Sequence, residues 1–322
     1  MKVVVTGGTG FIGSGLCWKL NNQGITDIIV VDVGEDNRNS KNIANKNISE
    51  YIERDKFLEL VKGDKLTKDI DIILHMGACA DTTETDSAYL LKNNFLYSKE
   101  LCGWSLKNNT RYLYASSAAT YGAGELGYSD RDELTPSLKP LNEYGNSKQM
   151  FDLWVLENTL QDKITGFKFF NVYGPNEYHK KDMRSMVNKG YHQIKETGKL
   201  RLFKSYKPEY KDGEQERDFI YIKDVLDIIW YFIDAPSKHG IYNIGTGKTH
   251  TWNDLANALF KAFNIKSNIE YFDMPDKLKE QYQYFTQADL TKLKATGCGC
   301  EFTDIDDAVK DYVTYLKVGN YL

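Results

Sequence analysis

Short apolar runs alternate with longer stretches of helical spacing along the first half of the chain. Residues 2–5 (KVVV) form a short, mainly apolar run that is cut off at once by the glycines from Gly7, which predicts a short buried strand. Residues 11–20 repeat apolar side chains at helical spacing. Residues 27–33 (DIIVVDV) predict a second strand, 71–74 (DIIL) another, and 86–106 a long helix. Residues 111–115 (RYLYA) read as a strand, 145–160 as a helix and 166–170 (GFKFF) as a strand again. Strands alternating with helices predict an α/β fold with a doubly wound parallel sheet covered on both faces.

After residue 171 the rhythm changes. Residues 204–217 (KSYKPEYKDGEQER) are polar and predict a surface loop, whereas 219–222 and the apolar helical run 225–233 predict a return to the sheet. Thr251 with Asp254, and Thr303 with Asp306, have the spacing of capping boxes opening two later helices. The second of these places Ile305, Ala308, Val309, Tyr312, Val313 and Leu316 on one face. The division this predicts is a sheet domain over 1–170, with 218–245 returning to it, and a smaller C-terminal α/β lobe built from 171–217 and 246–322.

Composition narrows the function classes. At 322 residues the chain suits one large α/β domain or two closely joined ones. A formal net charge of -4 provides no basic field for nucleic acid or anionic lipid. No apolar run approaches the roughly 18–20 residues that cross a bilayer, and the first residues read as a strand, not a leader. Cysteines at 17, 79, 102, 298 and 300 are odd in number and scattered, which predicts a reduced, cytoplasmic chain. Neither they nor the five histidines have metal-ligand spacing, so no metal is expected. Twenty-two tyrosines read as core and rim packing.

Two stretches carry chemistry. The first is TGGTGFIGSG, with Gly7, Gly10 and Gly13 at three-residue spacing between the first strand and first helix. Glycine there permits a tight turn, close approach of a pyrophosphate and close helix packing. The second strand ends at Asp32, 19 residues beyond Gly13, where an acid accepts from the 2′-hydroxyl of NAD. Arg38, Lys41 and Arg54 lie downstream and offer positive charge for the 2′-phosphate of NADP, so spacing leaves both dinucleotides open.

The second stretch is YGNSK, which places Tyr144 and Lys148 four residues apart at a helix start. A free phenol titrates near ~10, and lowering it by about three units takes roughly 4 kcal/mol. A nearby ammonium and a cationic nicotinamide are the groups that would supply it. On spacing alone the pair also reads as an exposed edge of an ordinary helix. Upstream, YASSAATYG puts Ser116 and Ser117 at a strand's C-terminal end, where α/β sites form.

Together, the glycine trio, the serine pair and Tyr-x-x-x-Lys resemble the extended short-chain dehydrogenase/reductase family. Within it, GITDIIVVD, GACADTTETD, KPLNEYGNSK, FFNVYGPNEYHKKDM, RDFIYIKDV and DKLKEQYQYFTQADLTKL resemble the epimerases of nucleotide-activated heptoses, over residues 1 to about 317. The resemblance implies a Rossmann domain with a small substrate lobe, bound NADP, and a homo-oligomer, typically a pentamer. It implies inversion at C6″ of an ADP-activated glycero-manno-heptose, by transient oxidation, for lipopolysaccharide core.

It also implies roles for individual residues. Tyr144 and Lys180 are the two acid–base groups, Ser117 a hydroxyl donor that also touches substrate, and Lys148 the tyrosine's tuning lysine. Phe11, Ile12, Asp32, Val33, Arg54, Gly77, Ala78, Cys79, Ala80, Asn93, Lys148 and Val172 fall to the cofactor with the glycine trio. Asn171, Phe203, Arg217 and Tyr282 fall to the sugar nucleotide. Met76, Asn39, Asp182 and Lys189 depart from the usual glutamate, basic residue, serine and histidine, and the loop before Arg217 is longer than usual. Two other readings stay open: a 4-epimerase that serves both sugar faces with one tyrosine, and a non-catalytic dinucleotide-binding protein.

Overall fold

The structure is a computed structural model that describes residues 1–34, 40–279, 282–299 and 301–322. The predicted strands form as β1 Val3–Thr6, β2 Ile28–Asp32, β4 Ile72–His75, β5 Arg111–Ser117 and β6 Thr165–Phe169, and an unpredicted strand, β3 Glu50–Glu53, forms beside β2. Four short strands follow: β7 Asn171–Tyr173, β8 Leu200–Phe203, β9 Glu216–Arg217 and β10 Phe219–Tyr221. The chain then returns with β11 Gly240–Ile244 to complete a seven-stranded sheet in the order β11-β6-β5-β4-β1-β2-β3. Every pair in that sheet is parallel. β12 His250–Thr251 pairs antiparallel with β9, and β13 Ile269–Phe272 pairs parallel with β8.

The helices are α1 Phe11–Asn22, α2 Arg54–Lys62, α3 Ser87–Leu90, α4 Tyr97–Lys107, α5 Glu143–Glu157, α6 Met186–Thr197, α7 Ile222–Asp234, α8 Trp252–Phe263, α9 Asp276–Lys279, α10 Thr291–Ala295 and α11 Ile305–Val318. Strand side chains alternate between faces, and the core divides accordingly. Val3, Val5, Ile28 and Val30 join α1 and α7 in one apolar cluster. Val4, Ile29, Val31 and Ile73 join α2, α4 and α5 in the other. β1 pairs with β2 on one side and β4 on the other. The strand order therefore reverses at β1, and a crevice opens at its C-terminal end. No helix among the described residues is long and apolar enough to cross a membrane.

Three expectations change in three dimensions. The helix predicted over 86–106 is broken by a π-helical turn at Leu91–Leu96, which turns the polar Asn94 inward. The Thr251–Asp254 capping box forms, but Thr303 does not cap the last helix. Its N–H and hydroxyl both go to the Asp224 carboxylate, at 2.9 and 2.7 Å, and Asp304 becomes the N-cap. The thiols are not all free: Cys17, Cys79 and Cys102 are, whereas Cys298 is disulfide-bonded.

An ion pair lies inside the sheet layer, under β5 and β6. Lys168 Nζ donates to Asp152 Oδ2 at 2.7 Å with both side chains essentially inaccessible. Tyr114 Oη and Ser116 Oγ donate to the same carboxylate at 2.9 and 2.7 Å, and Lys168 also donates to Thr120 Oγ1 at 2.9 Å. Removing one member of a buried pair leaves an uncompensated charge. Lys168→Met is therefore expected to lower unfolding free energy by about 3–5 kcal/mol, read from the urea midpoint.

Candidate active site

The turn after β1 shows why glycine is required there. Gly7 has φ +66°, and a Cβ on it would lie 2.7 Å from the Gly77 backbone. A Cβ on Gly13 would lie 2.1 Å from the Gly7 carbonyl oxygen, so α1 packs directly on the turn. Gly10 is the N-cap of α1 and supplies no side-chain cap. The first-turn N–H groups are thus left for a ligand, and the helix dipole favours an anion. The turn faces a cleft of about 500 Å³ lined by Gly7, Gly10, Phe11, Ile12, Gly13, Asp32, Val33, Arg54, Asn93 and residues 77–80. A bare helix end, a turn that excludes any Cβ and a cleft of this size fit a dinucleotide.

Lys180 lines the same cleft. Lys148 and Val172 do not. Lys148 is buried on α5, and Val172 pairs with Ile220 between β7 and β10. At the end of β2, Asp32 Oδ2 accepts from Thr9 N and Oγ1 at 2.9 and 2.6 Å, and Oδ1 accepts from Val33 N at 2.8 Å. Its carboxylate holds the glycine turn. Arg54 forks onto Asp55, which raises its pKa, and donates to Asn93 Oδ1 at 2.9 Å. Lys41 is exposed, and Arg38 and Asn39 lie outside the described residues.

The residues expected to carry acid–base chemistry, Tyr144 and Lys180, sit on separate elements. Asn142 caps α5 by accepting from Gly145 N at 2.8 Å, which places Tyr144 in the first turn. Strand alternation splits the serine pair: Ser116 goes to buried Asp152, and Ser117 lies on the side of the Tyr144 phenol, whose pKa it lowers. Burial pushes this phenol above its ordinary pKa; Ser117 acts against that, and the Cys79 thiol adds to it. Lys148 Nζ donates to Ala115 O at 2.9 Å, on the strand that carries Ser117. Burial brings the Lys148 ammonium down to about 8, with Asp152 pulling the other way.

Lys180 lies in the single-turn segment Tyr178–Met183. Its Nζ is 5.2 Å from the centroid of the Phe11 ring. Burial lowers its pKa, and Glu177 opposes the shift. Glu177 is itself buried, accepting from Ser185 N and Oγ at 2.6 and 2.5 Å. Lys181, directly after Lys180, has φ +47°, an uncommon left-handed conformation for a residue with a side chain. The two departures Asp182 and Lys189 compensate each other, since Asp182 stabilises the Lys189 ammonium against burial.

Two asparagines that motif reading passes over tie these parts together. Asn94 Oδ1 accepts from Cys79 N at 2.8 Å, and its Nδ2 donates to Cys79 O and Ser147 Oγ at 3.0 and 2.9 Å. Ser147 lies between Tyr144 and Lys148, so one buried amide joins the 77–80 loop to the acid–base helix. Asn42 Nδ2 reaches Thr9 O, Asn176 O and His179 Nδ1 at 2.8, 3.0 and 3.1 Å, joining the glycine turn to the Lys180 segment. The only sequence trace of either is its nearness to Asn93 or to Lys41. His75 bridges Thr6 Oγ1 and Ser98 Oγ at 2.7 and 2.8 Å, and burial brings it down to about 3, which keeps it neutral.

The four residues expected at the sugar nucleotide also converge. Arg217 Cζ lies 5.1 Å from the Tyr282 ring centroid, and Phe203 packs edge-on against Tyr282 at 6.5 Å. Asn171 Nδ2 donates to Asp218 O, next to Arg217, at 3.1 Å. Trp252, missed in the sequence because it opens a helix, lies 5.9 Å from Arg217 Cζ and donates to Tyr282 Oη at 2.8 Å. Arg217 is buried, its pKa lowered by burial, and it has no carboxylate partner among the described residues. The predicted surface loop 204–217 thus turns inward at its end, because β12 takes up residues 216–217 as a strand.

A glycine turn opening on a parallel-sheet crevice, with half-buried Tyr144 and Ser117 and buried Lys148 beside it, defines a nicotinamide-dinucleotide protein of Rossmann type. The chain belongs to the NAD dependent epimerase/dehydratase family, whose model matches residues 3–245. It is 50% identical over 310 residues to the ADP-L-glycero-D-manno-heptose-6-epimerase of Nitratidesulfovibrio vulgaris, covering 96% of both chains. The enzyme of the same name from Fusobacterium nucleatum is 46% identical over 331 residues, covering 99% of this chain and 100% of that one. The crystal structure of Helicobacter pylori ADP-L-glycero-D-manno-heptose-6-epimerase superposes with a TM-score of 0.81 at 26% identity, covering 98% of this chain and 96% of that one.

Two outcomes are expected. Gly13→Ala brings a methyl onto the Gly7 carbonyl, so the variant should purify without bound dinucleotide, as read by absorbance of the heat-released nucleotide. Lys148 sets a pH dependence. Below pH 8 it is protonated in both folded and unfolded chains. Between about 8 and its ordinary 10.5 only the unfolded chain binds the proton. Stability from this residue therefore rises with pH across that window. Urea midpoints of the apoprotein should increase from pH 8 to 10 relative to Lys148→Met.

Proposed function

We propose that this chain is an epimerase that inverts C6″ of ADP-glycero-manno-heptose, with NADP as its bound cofactor. The carrying observation is Lys180 Nζ in the dinucleotide cleft against Phe11, on a different element from Tyr144. Inversion needs hydrogen removed from one face of a carbon and returned to the other, and two proton-transfer groups on separate elements suit that task. The relatives' shared name supplies the substrate. When bound, the nicotinamide supplies reversible redox chemistry at the sugar carbinol.

The chain's own side chains do the rest. The glycine turn and the α1 N-terminus hold the pyrophosphate. Tyr144 Oη takes and returns the proton of the reacting hydroxyl on one face, and Ser117 favours the phenolate. Lys180 Nζ, with its pKa lowered by burial, exchanges the proton for the other configuration. Lys148 holds a cation at the C-terminal end of β5. Arg217, buried without a carboxylate, presents a planar fork suited to the diphosphate. Residues 171–217 and 246–322 form the lobe that presents the sugar nucleotide.

The NADP reading rests on the family resemblance. Asp32, whose Oδ2 accepts twice from Thr9 and whose Oδ1 accepts once from Val33 N, serves the glycine turn. A homo-oligomer, a pentamer by the family resemblance, acting in the cytoplasm completes the reading.

The test is a proton NMR time course at C6″ of ADP-glycero-manno-heptose. Wild type should interconvert the two C6″ epimers with no net cofactor consumption. Lys180→Met and Tyr144→Phe should each slow turnover by about 10²–10⁴-fold, the usual worth of a general acid–base group, while retaining the nucleotide. Normal turnover in Lys180→Met would transfer the assignment to a single-tyrosine epimerase.

A further inference from the structure

Arg217 has a neighbour whose side chain the rest of the structure does not use. Gln215 is 0% exposed, and neither its Oε1 nor its Nε2 has a hydrogen-bond partner among the described residues. Leaving both halves of a buried carboxamide unpaired is expensive and rare. Gln149, also buried, leaves only its oxygen unpaired, because its Nε2 donates to Thr135 O and Leu138 O at 3.1 and 2.9 Å.

The strand places Gln215 with Arg217. Arg217 pairs with His250 and Glu216 with Thr251 in the β9–β12 ladder, and Trp252 N donates to Gln215 O at 3.3 Å, continuing the ladder by one residue. Residues 215 and 217 therefore point to the same face, with Cα atoms about 6.6 Å apart at roughly 3.3 Å per residue. Glu216, between them, faces the other way and accepts from Thr249 Oγ1 at 2.5 Å. On the shared face the Arg217 guanidinium lies over Tyr282 and Trp252, with Tyr128, Tyr210 and Tyr284 also near it. The result is an aromatic enclosure holding one cation that has no carboxylate partner among the described residues, its Nη1 donating to Glu216 O at 2.9 Å, and one amide with no partner among them.

We propose that the Gln215 carboxamide is a nucleoside-reading group, pairing with an adjacent donor and acceptor of the nucleotide, on its ribose diol or its base edge, while Arg217 holds the diphosphate. A carboxamide carries one acceptor and two donors on a single plane, which matches either edge. One strand step-pair from the guanidinium is the spacing that separates a diphosphate from its nucleoside. The inference rests on the nucleotide-sugar reading of this site and adds the residue that recognises the nucleoside part.

Calorimetric titration of the holoprotein with ADP, 2′-deoxy-ADP, UDP and inorganic pyrophosphate tests it. Gln215→Leu should weaken ADP about tenfold, the worth of one to two buried hydrogen bonds, leaving pyrophosphate affinity and bound dinucleotide unchanged. A smaller loss with 2′-deoxy-ADP places the amide on the ribose 2′-hydroxyl, a smaller loss with UDP places it on the base, and an equal loss with all three nucleotides places it on the ribose 3′-hydroxyl. Unchanged ADP affinity, or a loss that extends to pyrophosphate, overturns the proposal. Should Gln215→Leu fail to fold, Gln215→Glu, which keeps shape and acceptors but removes the donor, decides by the same criteria. Arg217→Lys separates the two levels. If it weakens ADP while Gln215→Leu does not, only the Gln215 assignment falls. If neither weakens ADP, the nucleotide-sugar reading of the site falls with it.

Discussion

The contact between Gly13 and the Gly7 carbonyl sets the position of everything else around the cleft. With room for no Cβ between them, the first helix starts directly on the turn and presents its unpaired N–H groups at the C-terminal end of β1. That strand is where the sheet order reverses, so the loops after β1 and β4 part and leave a crevice. The Gly7–Gly77 approach closes the floor of the crevice, and Phe11, in the first turn of the same helix, becomes the surface against which Lys180 rests.

Three polar connections convert this crevice into a site. Asp32 holds Thr9 and so the turn. Asn42 joins the turn to the segment that carries Lys180. Asn94 joins the loop after β4 to the helix that carries Tyr144 and Lys148. Each is a buried or half-buried side chain that hydrogen-bonds groups of two different segments. Such amides fix relative positions in a way apolar contacts do not, because a hydrogen bond weakens steeply with misalignment. The π-helical turn at Leu91–Leu96 belongs to this scheme, since it brings Asn94 inward beside the cleft-lining Asn93.

Buried charge is the second organising theme. Asp152 and Lys168 neutralise one another beneath β5, and the same carboxylate stabilises the Lys148 ammonium one turn earlier. Ser116 belongs to this buried group, whereas Ser117, one residue on, faces the phenol. A period of two along a strand thereby divides two adjacent serines between support and chemistry. Arg217 is the contrasting case, a buried cation that the described chain leaves without a counter-charge and that matches an anionic ligand.

Local pattern determined most strands of the large sheet with their helices, the glycine turn and the helix that carries Tyr144 and Lys148. These depend on spacing within one element: apolar period, three glycines, and Tyr144 and Lys148 one helical turn apart. The resemblance to a known family extended that reading to single residues such as Lys180 and Arg217. What only the tertiary structure decided is which side chains from distant segments meet. The bond that diverts Thr303 to Asp224, the inward turn of residues 215–217, the Asn42 and Asn94 bridges and the aromatic enclosure around Arg217 all join residues far apart in the chain. No local period encodes such meetings, because they are set by how the sheet twists and how the loops close over its edge.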